Sequence, residues 1–205
     1  RDDMETYFSD EKNRLTFQNR VMSFGVIGMK MCQWISQRVD IVGPNTILAL
    51  ERFQKTVPSH TLPHTLYEIE TSTASPWYSY FSYIDPKALG SGTISQVHKC
   101  ISKDGKHGVV KVMHPDVKEN IHTNIQWFSS LLPLVHKFYP PAQIFNLRGM
   151  MSTISVQVDY VTEVKNQSKL RDVLSPVDFV IVPEIYTWNK GFIFQETCHG
   201  LTRQE

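Results

Sequence analysis

The residue types best suited to chemistry in this chain are two glycines and a lysine. Leu89-Gly90-Ser91-Gly92-Thr93 leads into an alternating stretch, and Lys111 sits inside Gly108-Val109-Val110-Lys111-Val112. A glycine-rich turn between two strands lets main-chain N–H groups approach a phosphate with no Cβ in the way. A lysine on the next strand then supplies positive charge to that phosphate. Taken alone, Gly-x-Gly arises often by chance and reads more readily as an ordinary turn. Lys111 carries more weight. Between Val109, Val110, Val112 and Met113 it falls on a strand expected to be buried, where an unpaired ammonium is costly, so it needs an anionic partner. The plain alternative is an edge-strand lysine whose stem carries its charge out to water.

The partner expected is Glu163, in Val158-Asp159-Tyr160-Val161-Thr162-Glu163-Val164-Lys165-Asn166. Read as helix, this segment puts Asp159 and Glu163 on one face, a like-charge pair that a cation opposite would relieve. Glycine loop, strand, turn, strand with lysine, helix with glutamate: this order resembles the N-lobe of a protein kinase. The 52 positions between Lys111 and Glu163 leave room for an inserted helix.

The elements that must hold these residues follow from hydrophobic period. Leu15, Val21, Phe24, Ile27, Met31 and Ile35 suggest one or two helices over residues 10 to 40. Gly43-Pro44 restarts a helix that carries Ile47, Leu50, Phe53 and Val57 until Pro58, and residues 62 to 72 suit a third. Trp77 to Asp85 reads as an aromatic linker. From Lys87 the period becomes strand-like: Ile94 to Ile101 alternates, Asp104-Gly105 marks a hairpin turn, and Gly108 to Met113 is β-branched. Val117, Ile121, Ile125, Phe128, Leu132 and Val135 predict a helix kinked at Pro133, and a further helix is expected across Leu147 to Leu174. Phe179 to Val182, Ile185 to Trp188 and Phe192 to Thr197 read as short strands around Asn189-Lys190-Gly191.

Composition bounds the function. In 205 residues, 21 Lys and Arg face 20 Asp and Glu, a balance that argues against a generic nucleic-acid binder. The aromatic run Trp77, Tyr78, Tyr80, Phe81, Tyr83 has no lysine or arginine until Lys87, so packing is its better reading. Cys32, Cys100 and Cys198 form no CxxC pair and read as reduced thiols. His60, His64 and Glu68 are spaced by four, but Pro63 intervenes, so they read as surface residues and no metal ligand is assigned. Val21 to Met29 is too short to span a bilayer, and no transmembrane segment is expected. The chain opens on Arg1 with an acidic stretch, unlike a signal or transit peptide, which leads us to expect a fragment.

Five segments in order, from about Met22 to Gly200, resemble the UbiB/ADCK group of atypical kinase-like proteins. Lys30-Met31-Cys32-Gln33-Trp34-Ile35-Ser36-Gln37-Arg38-Val39-Asp40 is similar to that group's KxGQxxSxRxD signature, with Lys30, Gln33, Ser36, Arg38 and Asp40 in register and Cys32 at the glycine. Phe81 to His98 and His114-Pro115-Asp116-Val117 match two more segments. Asp159-Tyr160 with Glu163 and Asn166 resembles D-[FY]-x-x-E-x-x-N. Val182 to Tyr186 and Gln195 to Gly200 resemble the strand pair before the kinase hinge. The group's alanine-rich loop reads Gly90-Ser91-Gly92-Thr93 here, closer to ordinary kinases.

The resemblance implies an α+β fold: a helical KxGQ extension over 1–75, then a kinase-like N-lobe over 76–205, a small antiparallel sheet with inserted helices. It implies ATP as cofactor, bound by Gly90, Ser91, Gly92, Thr93, Val97, Lys111, Glu196 and Cys198, with Lys111 and Glu163 in catalytic roles and Asp159 and Asn166 in support. Lys30 and Gln33 would face the nucleotide cleft and occlude protein substrates. Cys32 would alter how closely their helix approaches the loop. The catalytic-loop aspartate and asparagine and the Asp-Phe-Gly of a C-lobe have no counterpart in these residues, so magnesium ligands are expected outside them. The function implied is an atypical kinase or ATPase of ubiquinone or prenyl-lipid metabolism, in mitochondria or plastids, with lipid or quinone-biosynthesis proteins as partners. The alternative is a non-catalytic pseudokinase-like scaffold or lipid-responsive module.

Overall fold

The computed structural model describes residues 2–198 apart from 24, 41, 56–58, 116, 118–120, 122, 127–129 and 131–146. The chain divides into two compact units. One is largely helical (1–58 with 116–155), and the other is built on a β-sheet (59–115 with 156–205).

The helical unit contains α1 (Asp2–Ser9), α2 (Glu11–Ser23), α3 (Gly25–Ser36) and α4 (Pro44–Lys55). The apolar stripes read from the sequence meet here: Val21, Cys32, Leu50 and Phe53 are buried together, with Phe17, Met22, Met29 and Ile35 around them. The helix α1, which the sequence reading did not include, has a definite task. The Glu5 carboxylate accepts hydrogen bonds from the main-chain N–H groups of Asn45 (2.9 Å) and Thr46 (3.0 Å), placing an anion at the positive end of α4. The expected helix from Val117 to Val135 lies mostly outside the described residues; Val117, Ile121 and residues 123–126 are helical.

The sheet unit opens with α5 (Leu62–Thr73), whose Pro63 falls in the first turn, where its missing N–H costs nothing. After a 3-10 turn at Trp77–Ser79 come β1 (Phe81–Ser91), β2 (Ser95–Ser102), β3 (His107–Met113), β4 (Ile185–Trp188) and β5 (Phe192–Gln195). They form one antiparallel sheet in the order β1-β2-β3-β5-β4. Phe81 to Asp85, expected as linker, is strand. Pro86 fits because β1 is an edge strand with a register shift between Ile84 and Ala88. Gly105, at φ +83°, closes the β2–β3 hairpin.

One sheet face carries Ile84, Cys100, Val110, Val112, Phe192 and Phe194, packed with Phe81 against Ile69, Leu62 and Leu66 of α5. Each such side chain contributes about 2 kcal/mol when fully buried. That burial explains why α5, grouped with the N-terminal extension by the sequence reading, belongs to the sheet unit. Gly191 in the β4–β5 turn lies so near the end of α5 that a Cβ there would come within 2.4 Å of Ser72.

The expected single helix from Leu147 to Leu174 is two helices, α6 (Leu147–Gln157) and α7 (Tyr160–Leu174). Asp159 breaks it. It sits in extended conformation as the N-cap of α7, its Oδ1 accepting the Val161 N–H at 3.0 Å and its Oδ2 the Thr162 hydroxyl at 2.6 Å. Phe179 to Val182 is not a strand; Phe179 and Ile181 are 90% and 74% exposed.

Candidate functional site

The sheet face opposite α5 presents one cross-strand row. Gly90 on β1 pairs with Val97 on β2, Val97 pairs with Lys111 on β3, and Lys111 pairs with Ile193 on β5. Directly opposed residues in antiparallel strands share a face, so the lysine and the start of the glycine loop lie two strands apart on one surface. The loop itself joins strand to strand. Ser91 ends β1, Ser95 begins β2, and the Gly92 N–H donates to the Ser95 carbonyl at 2.9 Å. It therefore does not open a helix, as a P-loop would.

Over this face lies α7. The Lys111 ammonium donates to Glu163 Oε1 and stands 5.4 Å from the centroid of the Tyr160 ring. The pair is partly wet, the side chains of Lys111 and Glu163 being 25% and 31% exposed. Tyr160 is buried beneath it, and that burial pushes its phenol up from the ordinary value. Gln167, one turn beyond Glu163, ties α7 to the sheet by donating to the Pro183 carbonyl and to Gln195 Oε1, both at 3.0 Å. Asp159 does not share Glu163's role as a counter-ion: as N-cap it serves the helix. The Thr162 hydroxyl, then the Val161 N–H, hold its carboxyl below the usual range. Asn166 is exposed on α7, three positions from Glu163.

The remaining residues expected at the site have the following local contacts. Glu196 follows β5. Its main-chain N–H donates to the Glu184 carbonyl at 2.8 Å, and its carboxylate accepts the Glu184 N–H at 3.1 Å and lies 3.9 Å from Arg171. Cys198 is exposed. In the helical unit, the Gln33 amide donates to the Phe53 carbonyl at 2.6 Å, and the Ser36 hydroxyl caps its own helix through the Gln33 carbonyl at 2.7 Å. Arg38 and Asp40 form a two-bonded pair at 2.9 and 2.7 Å just past the end of α3. Lys30 is half-buried on α3. Cys32 points into the helical core, where burial pushes its thiol up to about 12 and keeps it protonated.

A second polar cluster escaped the sequence reading. On the α5 face, Gln96 and His98 are fully buried on β2. Gln96 clasps the main chain of His60, accepting its N–H at 2.9 Å and donating to its carbonyl at 3.0 Å, and also donates to His98 Nε2 at 2.8 Å. His98 Nδ1 reaches the Asp85 carbonyl at 2.7 Å, where β1 bulges. His60 contacts Thr65 at 2.9 Å and His114 at 2.8 Å, and its ring meets that of His64 edge-on. His60 and His64, expected at the surface, are thus half-buried. The one signal available was two polar residues, Gln96 and His98, on the same alternating face of β2 as Cys100.

An N-lobe sheet whose third strand offers a lysine to a helix-borne glutamate defines the class, a protein-kinase-like fold. Residues 52–203 match the family model described as the ABC1 atypical kinase-like domain, and the chain belongs to that family. It is 36% identical over 143 residues to a probable serine/threonine-protein kinase, abkC, of Dictyostelium discoideum, covering 66% of this chain and 21% of that one. It is 30% identical over 169 residues to a probable protein kinase UbiB of Xylella fastidiosa (80% and 31%), and 28% over 179 residues to one of Aeromonas salmonicida (85% and 32%). The chain thus spans between about a fifth and a third of these relatives' length. The fold is also similar to that of Mycobacterium tuberculosis Rv3197, solved in complex with erythromycin: TM-score 0.59 at 18% identity, over 98% of this chain and 51% of that one. The protein is therefore UbiB-type and atypical-kinase-like, with the N-terminal part of the kinase-like region in these residues.

Proposed function

We propose that the sheet unit binds ATP, with the Gly90–Thr93 loop against the phosphates and Lys111, oriented by Glu163, contributing charge to them. In a polypeptide of its relatives' length the activity is that of an atypical kinase or ATPase, with magnesium held by groups outside these residues. Its setting is ubiquinone or prenyl-lipid metabolism, in the mitochondrion or plastid. The observation that carries the nucleotide reading is the Lys111–Glu163 pair in the same cross-strand row as Gly90. A lysine already held by a carboxylate on a second element is positioned before ligand arrives, and so loses less freedom on binding. The partial exposure of both partners leaves a phosphate a way in.

The test is equilibrium binding of a non-hydrolysable ATP analogue to the full-length protein. Lys111→Met and Glu163→Gln are each expected to weaken binding by at least about tenfold, the loss of one charge-assisted interaction. The exchange Lys111→Glu with Glu163→Lys is expected to bind better than Lys111→Glu alone. Unchanged affinity in both single variants would discard the reading.

A further inference from the structure

The hydrogen-bond chain on the α5 face ends at the glycine loop that joins β1 to β2. His114 follows β3, and its main-chain N–H donates to the Ile94 carbonyl at 2.9 Å. Its ring Nε2 lies 2.8 Å from the Gly92 carbonyl, and its Nδ1 lies 2.8 Å from His60 Nδ1.

The positions of the hydrogens follow from the partners. A carbonyl only accepts, so His114 Nε2 carries a hydrogen, and in the neutral ring Nδ1 is then an acceptor. His60 Nδ1 must be the donor to it, which leaves His60 Nε2 to accept from the Thr65 hydroxyl at 2.9 Å, the same hydroxyl lying 3.2 Å from His98 Nε2. At His98 the same logic puts the hydrogen on Nδ1, facing the Asp85 carbonyl, and Nε2 accepts from Gln96, whose amide orientation is fixed by its double bond to His60. The one hydrogen bond between rings, His60 to His114, then has one hydrogen. A second hydrogen between His60 and His114 would set two N–H groups against each other.

We propose that His114, oriented by His60, is the positioning residue of the phosphate loop: its Nε2–H holds the Gly92 carbonyl and so fixes where the loop's N–H groups point. The peptide joining Gly92 to Thr93 is planar and trans, so its carbonyl and the Thr93 N–H point in opposite directions. With the carbonyl turned to His114, the Thr93 N–H faces away from the imidazole. A glycine at position 92 makes a flip of that peptide cheap, and a flip would offer an incoming phosphate a carbonyl in place of a donor. The tether opposes the flip. The ligand side of this inference rests on the nucleotide reading above, whereas the restraint on the loop is present without nucleotide.

Both parts can be measured on the full-length protein: amide hydrogen exchange over residues 90–95 without nucleotide, and affinity for the magnesium complex of a non-hydrolysable ATP analogue. His114→Leu removes donor and acceptor and is expected to speed exchange over the loop by about tenfold, one hydrogen bond's worth, and to weaken the analogue by a similar factor. His114→Gln returns an N–H near the Nε2 position and is expected to restore both to within about threefold. His60→Leu reaches the loop only through His114, so on loop exchange it adds nothing on top of His114→Leu. Unchanged exchange in His114→Leu, or equal effects of Leu and Gln, overturns the proposal. If His114→Leu does not fold, His114→Gln and His60→Leu decide: exchange at the wild-type rate in His60→Leu overturns it. Faster exchange in His114→Leu, when even the wild type binds no analogue, supports the tether and rejects the nucleotide reading.

Discussion

On one face of the sheet Lys111 meets Glu163 as an ion pair; on the other, His60, Thr65, Gln96 and His98 join through hydrogen bonds between neutral groups. Water reaches the first pair and is shut out from Gln96 and His98, which are 0% and 1% exposed. Where solvent still screens, separated charges persist and stay available to a ligand. Where it does not, ionising a group would cost far more than a directional hydrogen bond returns, and the side chains interlock without charge. The α5 face is therefore built for rigidity and the α7 face for exchange of partners.

The largest expected effect lies on the rigid face. Gln96→Leu strands the His60 N–H and carbonyl together and leaves His98 Nε2 with only the Thr65 hydroxyl at 3.2 Å, and is expected to lower unfolding free energy by about 3 kcal/mol in a denaturant titration. A loss under about 1 kcal/mol would mean that the network carries no more than a surface contact. The effect of pH comes next. Burial, then the neighbouring rings of His114, His64 and His98, push His60 down to about 3, while in the unfolded chain it titrates near 6.5. Below 6.5 the unfolded chain takes up a proton that the folded one refuses. The contribution is therefore whole above about 6.5 and drains away as pH falls toward 3. Burial also lowers His114, the first of its causes, which adds to the same trend. The unfolding midpoint is expected to drop between pH 7 and 4, and less so in His60→Asn; equal slopes would break the contrast between the faces. The smallest effect is on the wet face, where Lys111→Met is expected to change stability by less than about 1 kcal/mol, as for an exposed pair, while its nucleotide affinity falls. A loss of several times that in the melt would make the pair a structural one.

The strands and the pairing of Lys111 with Glu163 could be read from the sequence because both follow from local rules: alternation of side chains, and the cost of leaving an ammonium without an anion on an apolar strand. The break at Asp159 could not be read by period. Apolar residues keep helical spacing through Ile154, Val158 and Val161 with no Gly or Pro between them, and an aspartate competes for helix only by capping the next turn. Apolar Phe179 to Val182 reads as a strand, yet Phe179 and Ile181 lie exposed and the segment is not part of the five-stranded sheet. The histidine cluster is of another kind. His60 and His114 are 54 positions apart, and two of the cluster's acceptors are the main-chain carbonyls of Asp85 and Gly92, which no side-chain pattern records.

The cap at Asp159 also bears on how this lineage tolerates changes in length. Because α7 starts from its own first residue rather than continuing α6, the direction in which Glu163 points is counted from Asp159, about one helical turn away. Residues gained or lost upstream leave that count untouched, so the long interval before α7 is free to vary between species. A single residue inserted between Asp159 and Glu163 would swing the carboxylate about 100° around the helix axis, away from Lys111. Across related sequences, insertions and deletions should therefore fall before Asp159 and be missing from the four steps that follow it.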